Sequence, residues 1–191
     1  MNLNDAAKLD DAIIFATKAH AGAMRKGGGL PYIVHPMEAL SIATSMTDDI
    51  DVLCAAVLHD VVEDTKYTLE EIRLAFGQRI SDFVAHMSEN KRRERPAEET
   101  WRIRKEEALR GHMTAPLEVK IIFLSDKLSN LRGSYKDFLK VGDAIWQRFN
   151  MKDKAQQEWY YRAVVEVCHE LENTPAYLEY VELLDKVFVH E

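Results

Sequence analysis

Glycine and proline are scarce, eight and five in 191 residues, and no stretch alternates apolar and polar side chains over the length of a strand. Those absences argue against a sheet-built chain and leave helix after helix with short joins, an all-α fold. Cysteine is limited to Cys54 and Cys168. They lie far apart in apolar helical contexts with no Cys-x-x-Cys spacing, which argues against a disulfide framework or a thiolate zinc site and suits a reducing cytoplasm. No apolar run reaches membrane-spanning length, and the polar, acidic first residues are unlike a signal peptide, so neither export nor anchoring is expected. A basic surplus is missing too. Twenty-five Lys and Arg face 32 Asp and Glu, a formal charge of −7, which argues against general nucleic-acid binding. Positive charge gathers locally in Lys91-Arg92-Arg93-Glu94-Arg95 and at Arg102, Arg104 and Lys105. The first run reads as a solvated loop or helix face, or as an RNA or partner surface.

One domain over 1–191 is expected, because this length buries a sizeable core but is short for two. Leu9, Ala12, Ile13, Ala16 and Ala19 or His20 form one stripe over about 5–21, which Gly27-Gly28-Gly29-Leu30-Pro31 ends. Pro36 suits the first turn of a second helix. The next helix is predicted over about 51–63. Thr68 and Glu71 have capping-box spacing, and Gly77 is expected to close the helix they start. A helix over about 79–87 leads into the polar stretch 88–99, the most loop-like part of the chain and a candidate flap. Helices are then predicted over about 98–112, from Pro116 to Gly133, over about 152–171, and after an Asn173 or Thr174 cap with Pro175 in the first turn.

The most informative segment is Cys54-Ala55-Ala56-Val57-Leu58-His59-Asp60-Val61-Val62-Glu63-Asp64. An apolar run delivers a nitrogen ligand and three acids within six residues. If it is one continuous helix, His59, Asp60, Glu63 and Asp64 share one side. The pattern reads as half of a metal site, because charge at the end of a core segment needs a partner. Acids at a helix C-terminus are also unfavourable against the macrodipole, so a nearby cation is expected. His35 before Pro36, and Asp126 within Ile121-Ile122-Phe123-Leu124-Ser125-Asp126, are each ambiguous alone: a capping histidine and a paired buried acid explain them equally well.

The order His35, His59-Asp60, Asp126 resembles the metal-binding signature of the HD phosphohydrolase superfamily, an all-helical fold. Arg25-Lys26, Pro31-Tyr32-Ile33-x-His35-Pro36, Ala56-x-Leu58-His59-Asp60-Val61-Val62-Glu63-Asp64-Thr65, Phe76-Gly77 and Asp126-Lys127-Leu128-Ser129-Asn130-Leu131-Arg132 are similar to the hydrolase domain of RelA/SpoT homologues. These blocks cover about 20–132, with helices over about 133–191 expected to complete the fold. The chain is not expected to hold synthetase and regulatory domains as well. It therefore resembles the stand-alone small alarmone hydrolases of the metazoan Mesh1 type, which Trp101-x-x-Arg104-Lys105 also fits.

The resemblance implies a manganese-dependent enzyme that removes the 3′-pyrophosphate of ppGpp or pppGpp. It implies His35, His59, Asp60 and Asp126 as Mn²⁺ ligands, Glu63 and Asp64 as catalytic acids that position the attacking water and move its proton, and Arg25, Lys26 and Asn130 as substrate contacts. Two imidazoles and two carboxylates suit Mn²⁺, while zinc and iron also fit such a set. Tyr160 is the aromatic chosen from Trp159-Tyr160-Tyr161 for the nucleotide pocket, though aromatics at helical spacing more often pack the core. His20 reads equally well as a pocket or a core histidine, and Arg132 and Lys105 are further candidates. The glycine-rich run after Lys26 departs from the family pattern, which leaves substrate preference open. Alternatives are the same site acting on ppApp or on the 2′-phosphate of NADPH, and a non-catalytic nucleotide-sensing or interaction module, which would be expected to lack a ligand or an acid.

Overall fold

The computed structural model describes residues 3–25, 29–92 and 94–188. Among these, the only β pairing is an isolated bridge between Met24 and Pro31. The described residues form ten α-helical segments: α1 (Leu3–Ala19), α2 (Val34–Ala43), α3 (Ile50–Leu58), α4 (Val61–Asp64), α5 (Leu69–Phe76), α6 (Gln78–Met87), α7 (Ala97–Met113), α8 (Leu117–Val141), α9 (Lys154–Val167) and α10 (Pro175–Val187). Short 3-10 helices at Gly142–Arg148 and His169–Leu171 flank α9. No helix among the described residues is long and apolar enough to cross a membrane.

α3 is the central element. Every residue from Val52 to Leu58 is buried, and α1, α2, α6 and α8 pack around it. α8 extends this centre towards α10 and carries its own buried face of Val119, Ile122, Leu124, Leu128 and Leu131. Each such fully buried aliphatic side chain contributes about 1.5–3 kcal/mol before the entropy of ordering is set against it. One apolar cluster runs from Ala12 to Phe188, so the helices after α8 share the core of those before it.

Several boundaries follow their local chemistry. Thr68 and Glu71 form a reciprocal capping box at the start of α5. Gly77, at φ +93°, makes the turn into α6. Thr174 accepts the Tyr177 amide, with Pro175 opening α10.

Two expectations are corrected. The helix predicted over 51–63 is interrupted at His59 and Asp60. In a continued helix the Ala56 carbonyl would take the Asp60 amide; here it accepts from His59 Nδ1 at 2.8 Å, and helical bonding resumes with Asp64 N–H to the Asp60 carbonyl. Gly133 does not end the long helix, which continues to Val141 and stops at Gly142, φ +56°. A mid-helix glycine costs about 1 kcal/mol, which the buried faces on either side outweigh. After the stretch read as a candidate flap, the helix predicted from about 98 begins at Ala97, within one residue of the expectation.

Candidate metal centre and active site

α2 presents His35 in its first turn, α3 ends by presenting His59, and α8 passes both with Asp126. These three side chains are buried, and one ligand-type atom from each lies within 4.8 Å of the others. His35 Nε2 and His59 Nε2 are 3.3 Å apart. Asp126 Oδ1 lies 3.2 Å from the first and 3.7 Å from the second. Asp60 Oδ2 lies 3.4 and 3.1 Å from the same two nitrogens.

The outer nitrogen of each ring is already engaged. His59 Nδ1 donates to the Ala56 carbonyl. His35 Nδ1 lies 2.8 Å from Ser129 Oγ, whose own hydrogen goes to Glu38 Oε2 at 2.7 Å. In the neutral rings, both Nε2 lone pairs therefore face two carboxylate oxygens. Such a set repels itself unless it shares a cation, and atoms holding one ion at about 2.1 Å in neighbouring positions sit about 3 Å apart. The donor set therefore fits a divalent metal. Without one, a proton serves: burial pushes the His59 imidazole down, but Asp60 and Asp126 outweigh it and hold it up at about 9. Burial likewise opposes ionisation of Asp126 and Asp60. Lys127 and the two histidines hold the Asp126 carboxyl well below its usual range, and His59 and His35 do the same for Asp60. Lys127 Nζ and Asn130 Nδ2, each at 2.6 Å, fix the two oxygens of Asp126.

Glu63 and Asp64 lie in α4, just beyond the helix interruption at His59 and Asp60. The Tyr32 hydroxyl, 2.6 Å from Asp60 Oδ2 and 3.0 Å from Asp64 Oδ2, links the four-atom cluster to this acidic pair. Lys91 supplies the expected cation: its Nζ lies 3.3 Å from Glu63 Oε1 and hydrogen-bonds Asp64 Oδ1. Glu63 Oε2 accepts the Glu89 amide at 3.0 Å. Burial pushes the Glu63 carboxyl up, and Asp60 adds to this, while the Glu89 amide and Lys91 oppose it. Glu89 is itself held down, against burial, by Lys105, Lys127 and Arg104.

A cavity of about 670 Å³ opens beside these groups. Arg25, Arg95, Arg104, Lys105 and Arg148 add positive charge to its wall, and Trp101, Phe149 and Tyr160 add aromatic surface. The volume is that of a small-ligand site. Arg25 Nη2 donates to Asn130 Oδ1 at 3.0 Å, so one amide joins the cavity wall to Asp126. The Tyr160 ring is only 4 % exposed, and among the described residues its buried hydroxyl has no hydrogen-bond partner.

The structure thus brings His35, His59, Asp60 and Asp126 to one point, with Glu63, Asp64, Arg25, Asn130 and Tyr160 on the adjoining cavity. Lys26 lies outside the described residues. Of the aromatic trio, Tyr160 and Tyr161 line the cavity, whereas Trp159 stacks under the Arg102 guanidinium at 3.2 Å. Lys105 is at the cavity, but Arg132 is drawn away by Glu38 and Glu179. His20 is buried against Tyr32, with ring centres 4.8 Å apart. Within the basic run, Lys91 and Arg95 reach the cavity while Arg92 pairs with Glu107. Sequence reasoning assigned no role to Tyr32 or Lys91. Tyr32 stood inside a recognised block, and the acidic pair at a helix end was the signal for a cation.

The HD domain family matches residues 12–153. The human guanosine-3′,5′-bis(diphosphate) 3′-pyrophosphohydrolase MESH1 is 34% identical over 179 residues, spanning 92% of this chain and 91% of that protein. Its Xenopus tropicalis counterpart is 34% identical over 192 residues, 98% and 97% of the two chains. A guanosine-3′,5′-bis(diphosphate) 3′-pyrophosphohydrolase of Haemophilus influenzae is 35% identical over 122 residues, 62% of this chain but 17% of the longer relative. Among solved structures, lmo0812 of Listeria monocytogenes superposes with a TM-score of 0.72 at 29% identity, covering 82% of this chain and 99% of the other. A metazoan SpoT orthologue described as hydrolysing ppGpp shares the fold, with a TM-score of 0.75 at 24% identity over 96% and 97% of the two chains. With near-complete mutual coverage of the MESH1 relatives and a helical frame that brings two histidines and two aspartates together, this chain belongs to the HD-domain family, among its MESH1-like members.

Proposed function

We propose that the chain is a manganese-dependent hydrolase that removes the 3′-pyrophosphate of ppGpp or pppGpp, yielding GDP or GTP and pyrophosphate. The observation that carries this reading is the contact between two groups: an inward-facing set of two imidazoles and two carboxylates, and an acidic pair at the edge of a cationic cavity. The named relatives supply the substrate class. His35, His59, Asp60 and Asp126 would hold the ion. Once bound, it would acidify a water molecule and polarise a phosphate oxygen.

The chain's own residues do the rest. Glu63, with its carboxyl pushed up, accepts a proton from the attacking water, and Asp64, held by Tyr32 and Lys91, orients that water. The water oxygen joins phosphorus, the bond from phosphorus to the ribose 3′ oxygen breaks, and a proton ends on that oxygen. Arg25, Lys91, Arg104 and Lys105 neutralise phosphate charge, while Asn130 and Tyr160 flank the nucleoside. By resemblance Lys26 is a further substrate contact.

We read 1–191 as one hydrolase domain, which the continuous core from Ala12 to Phe188 supports. A reducing cytoplasm suits Cys54 and Cys168, two buried thiols whose pKa values burial pushes up to about 11 and about 12.

The test is to incubate metal-stripped protein with ppGpp, pppGpp, ppApp and NADPH, with and without Mn²⁺, and identify the products. Pyrophosphate release from ppGpp that requires Mn²⁺ and disappears in Asp60→Ala and Glu63→Ala is expected. Turnover of NADPH or ppApp alone would move the reading to those substrates, and turnover of none would refute it.

A further inference from the structure

Ser129, Glu38 and Arg132 take no part in the chemistry above, yet they form a continuous path outward from one side of the metal centre. Ser129 is fully buried on α8, between Asp126 and Arg132. Its hydroxyl has a single hydrogen, and Glu38 Oε2, 2.7 Å away, is an acceptor that takes it. Ser129 Oγ, its hydrogen committed to Glu38, must therefore accept from His35 Nδ1 at 2.8 Å, which fixes the hydrogen on Nδ1 and turns the Nε2 lone pair inward. Glu38 Oε1 is met by Arg132 Nη1 at 3.3 Å. Arg132 is in turn clamped by Glu179 through two contacts of 2.6 Å. Such a fork fixes direction as well as distance. Glu179 lies on α10, beyond the 12–153 span of the family match.

We infer that Ser129 and Glu38 are positioning residues that set the tautomer and orientation of His35 for metal binding, with Arg132 and Glu179 bracing Glu38 from α10. The inference rests on the proposed metal centre. Outer partners of metal-binding histidines hold the ring in its ligating tautomer, and their loss lowers metal affinity by about 10–100-fold. His59 has a different solution. Its Nδ1 donates to a backbone carbonyl within its own turn, which no side-chain substitution removes. The two histidines thus differ in how they can be loosened: His35 depends on side chains from α2 and α8, and His59 does not.

The test measures Mn²⁺ affinity by calorimetry on the metal-stripped full chain, alongside thermal unfolding with and without Mn²⁺. Ser129→Ala and Glu38→Ala are expected to bind Mn²⁺ about 10–100-fold more weakly, with a smaller Mn²⁺-induced rise in the unfolding midpoint. Glu38→Gln keeps an acceptor oxygen for the Ser129 hydroxyl and should bind like wild type, whereas Glu38→Leu, similar in bulk but without an acceptor, should bind as weakly as Glu38→Ala, a split that a bulk packing effect would not give. Glu38 is half-buried, so its variants carry the test even if Ser129→Ala fails to fold. Wild-type affinity in both Ser129→Ala and Glu38→Ala would overturn the inference, as would equal losses in Glu38→Gln and Glu38→Ala. No Mn²⁺ binding by the wild-type chain would instead overturn the metal centre itself, and the positioning role with it.

Discussion

Raising the pH from 7 to 9 should strengthen Mn²⁺ binding steeply, because the ion and a proton compete for His59. In the metal-free protein its imidazole is held at about 9 against an ordinary 6.5. About one molecule in a hundred then has a neutral ring at pH 7 and about half at pH 9, and only the neutral ring can ligate, so the association constant rises roughly 50-fold. About one proton leaves per ion bound at pH 7. Calorimetry under anaerobic conditions, in buffers of different ionisation enthalpy, reads both quantities. The same shift acts on stability. A raised histidine pKa stabilises the metal-free fold fully below 6.5, and this contribution is lost as pH rises through about 9. The loss is on the order of 3 kcal/mol, so metal-free protein should melt at a lower temperature at pH 9 than at pH 7. Mn²⁺-loaded protein, with no proton on His59, should lack that component. An affinity flat from pH 7 to 9 with no proton release would refute the account of His59.

Three further outcomes follow from named contacts. Lys91→Met removes a cation that holds the Glu63 carboxyl down, so the acidic limb of the pH–rate profile should move to higher pH; an unchanged limb would separate Lys91 from the acid pair. Tyr32→Phe leaves Asp60 and Asp64 without a shared donor and should lower kcat at saturating Mn²⁺, with a transition-state penalty of about 1.5–3 kcal/mol; wild-type kcat would contradict this. Gly133→Ala adds a Cβ that meets Arg25 Nη2 at 3.6 Å, an ordinary contact. It should therefore stabilise the fold by about 0.5–1 kcal/mol in denaturant titrations with little change in KM, and a loss of stability would contradict the packing.

Much of the helical frame was legible because its signals are local. The Thr68–Glu71 box, the Gly77 turn and the Thr174-Pro175 start each depend on a few neighbouring residues. The interruption after Leu58 was not legible. The apolar and acidic spacing reads straight through it, and the competing bond from His59 to the Ala56 carbonyl leaves no trace in periodicity. Gly133 misled for the opposite reason: a residue that often ends helices sits within one that packing sustains to Val141. The order of the motifs pointed to His35, His59, Asp60 and Asp126 as one set, and the structure brings them together. Their surroundings depend on partners far apart in sequence, such as Tyr32 with Asp60 and Asp64, Lys91 with Glu63 and Asp64, and Ser129 with His35 and Glu38. No window of neighbouring residues contains those pairs.

The most direct test of hydrolysis at the 3′ phosphate is turnover of ppGpp in ¹⁸O-labelled water with Mn²⁺, with mass spectrometry of both products. Water attack on phosphorus with departure of the 3′ oxygen places the label in pyrophosphate and none in GDP, and Asp60→Ala should form neither product. Label in the 3′ oxygen of GDP, or equal turnover without added metal in the stripped protein, would contradict the mechanism proposed for this site.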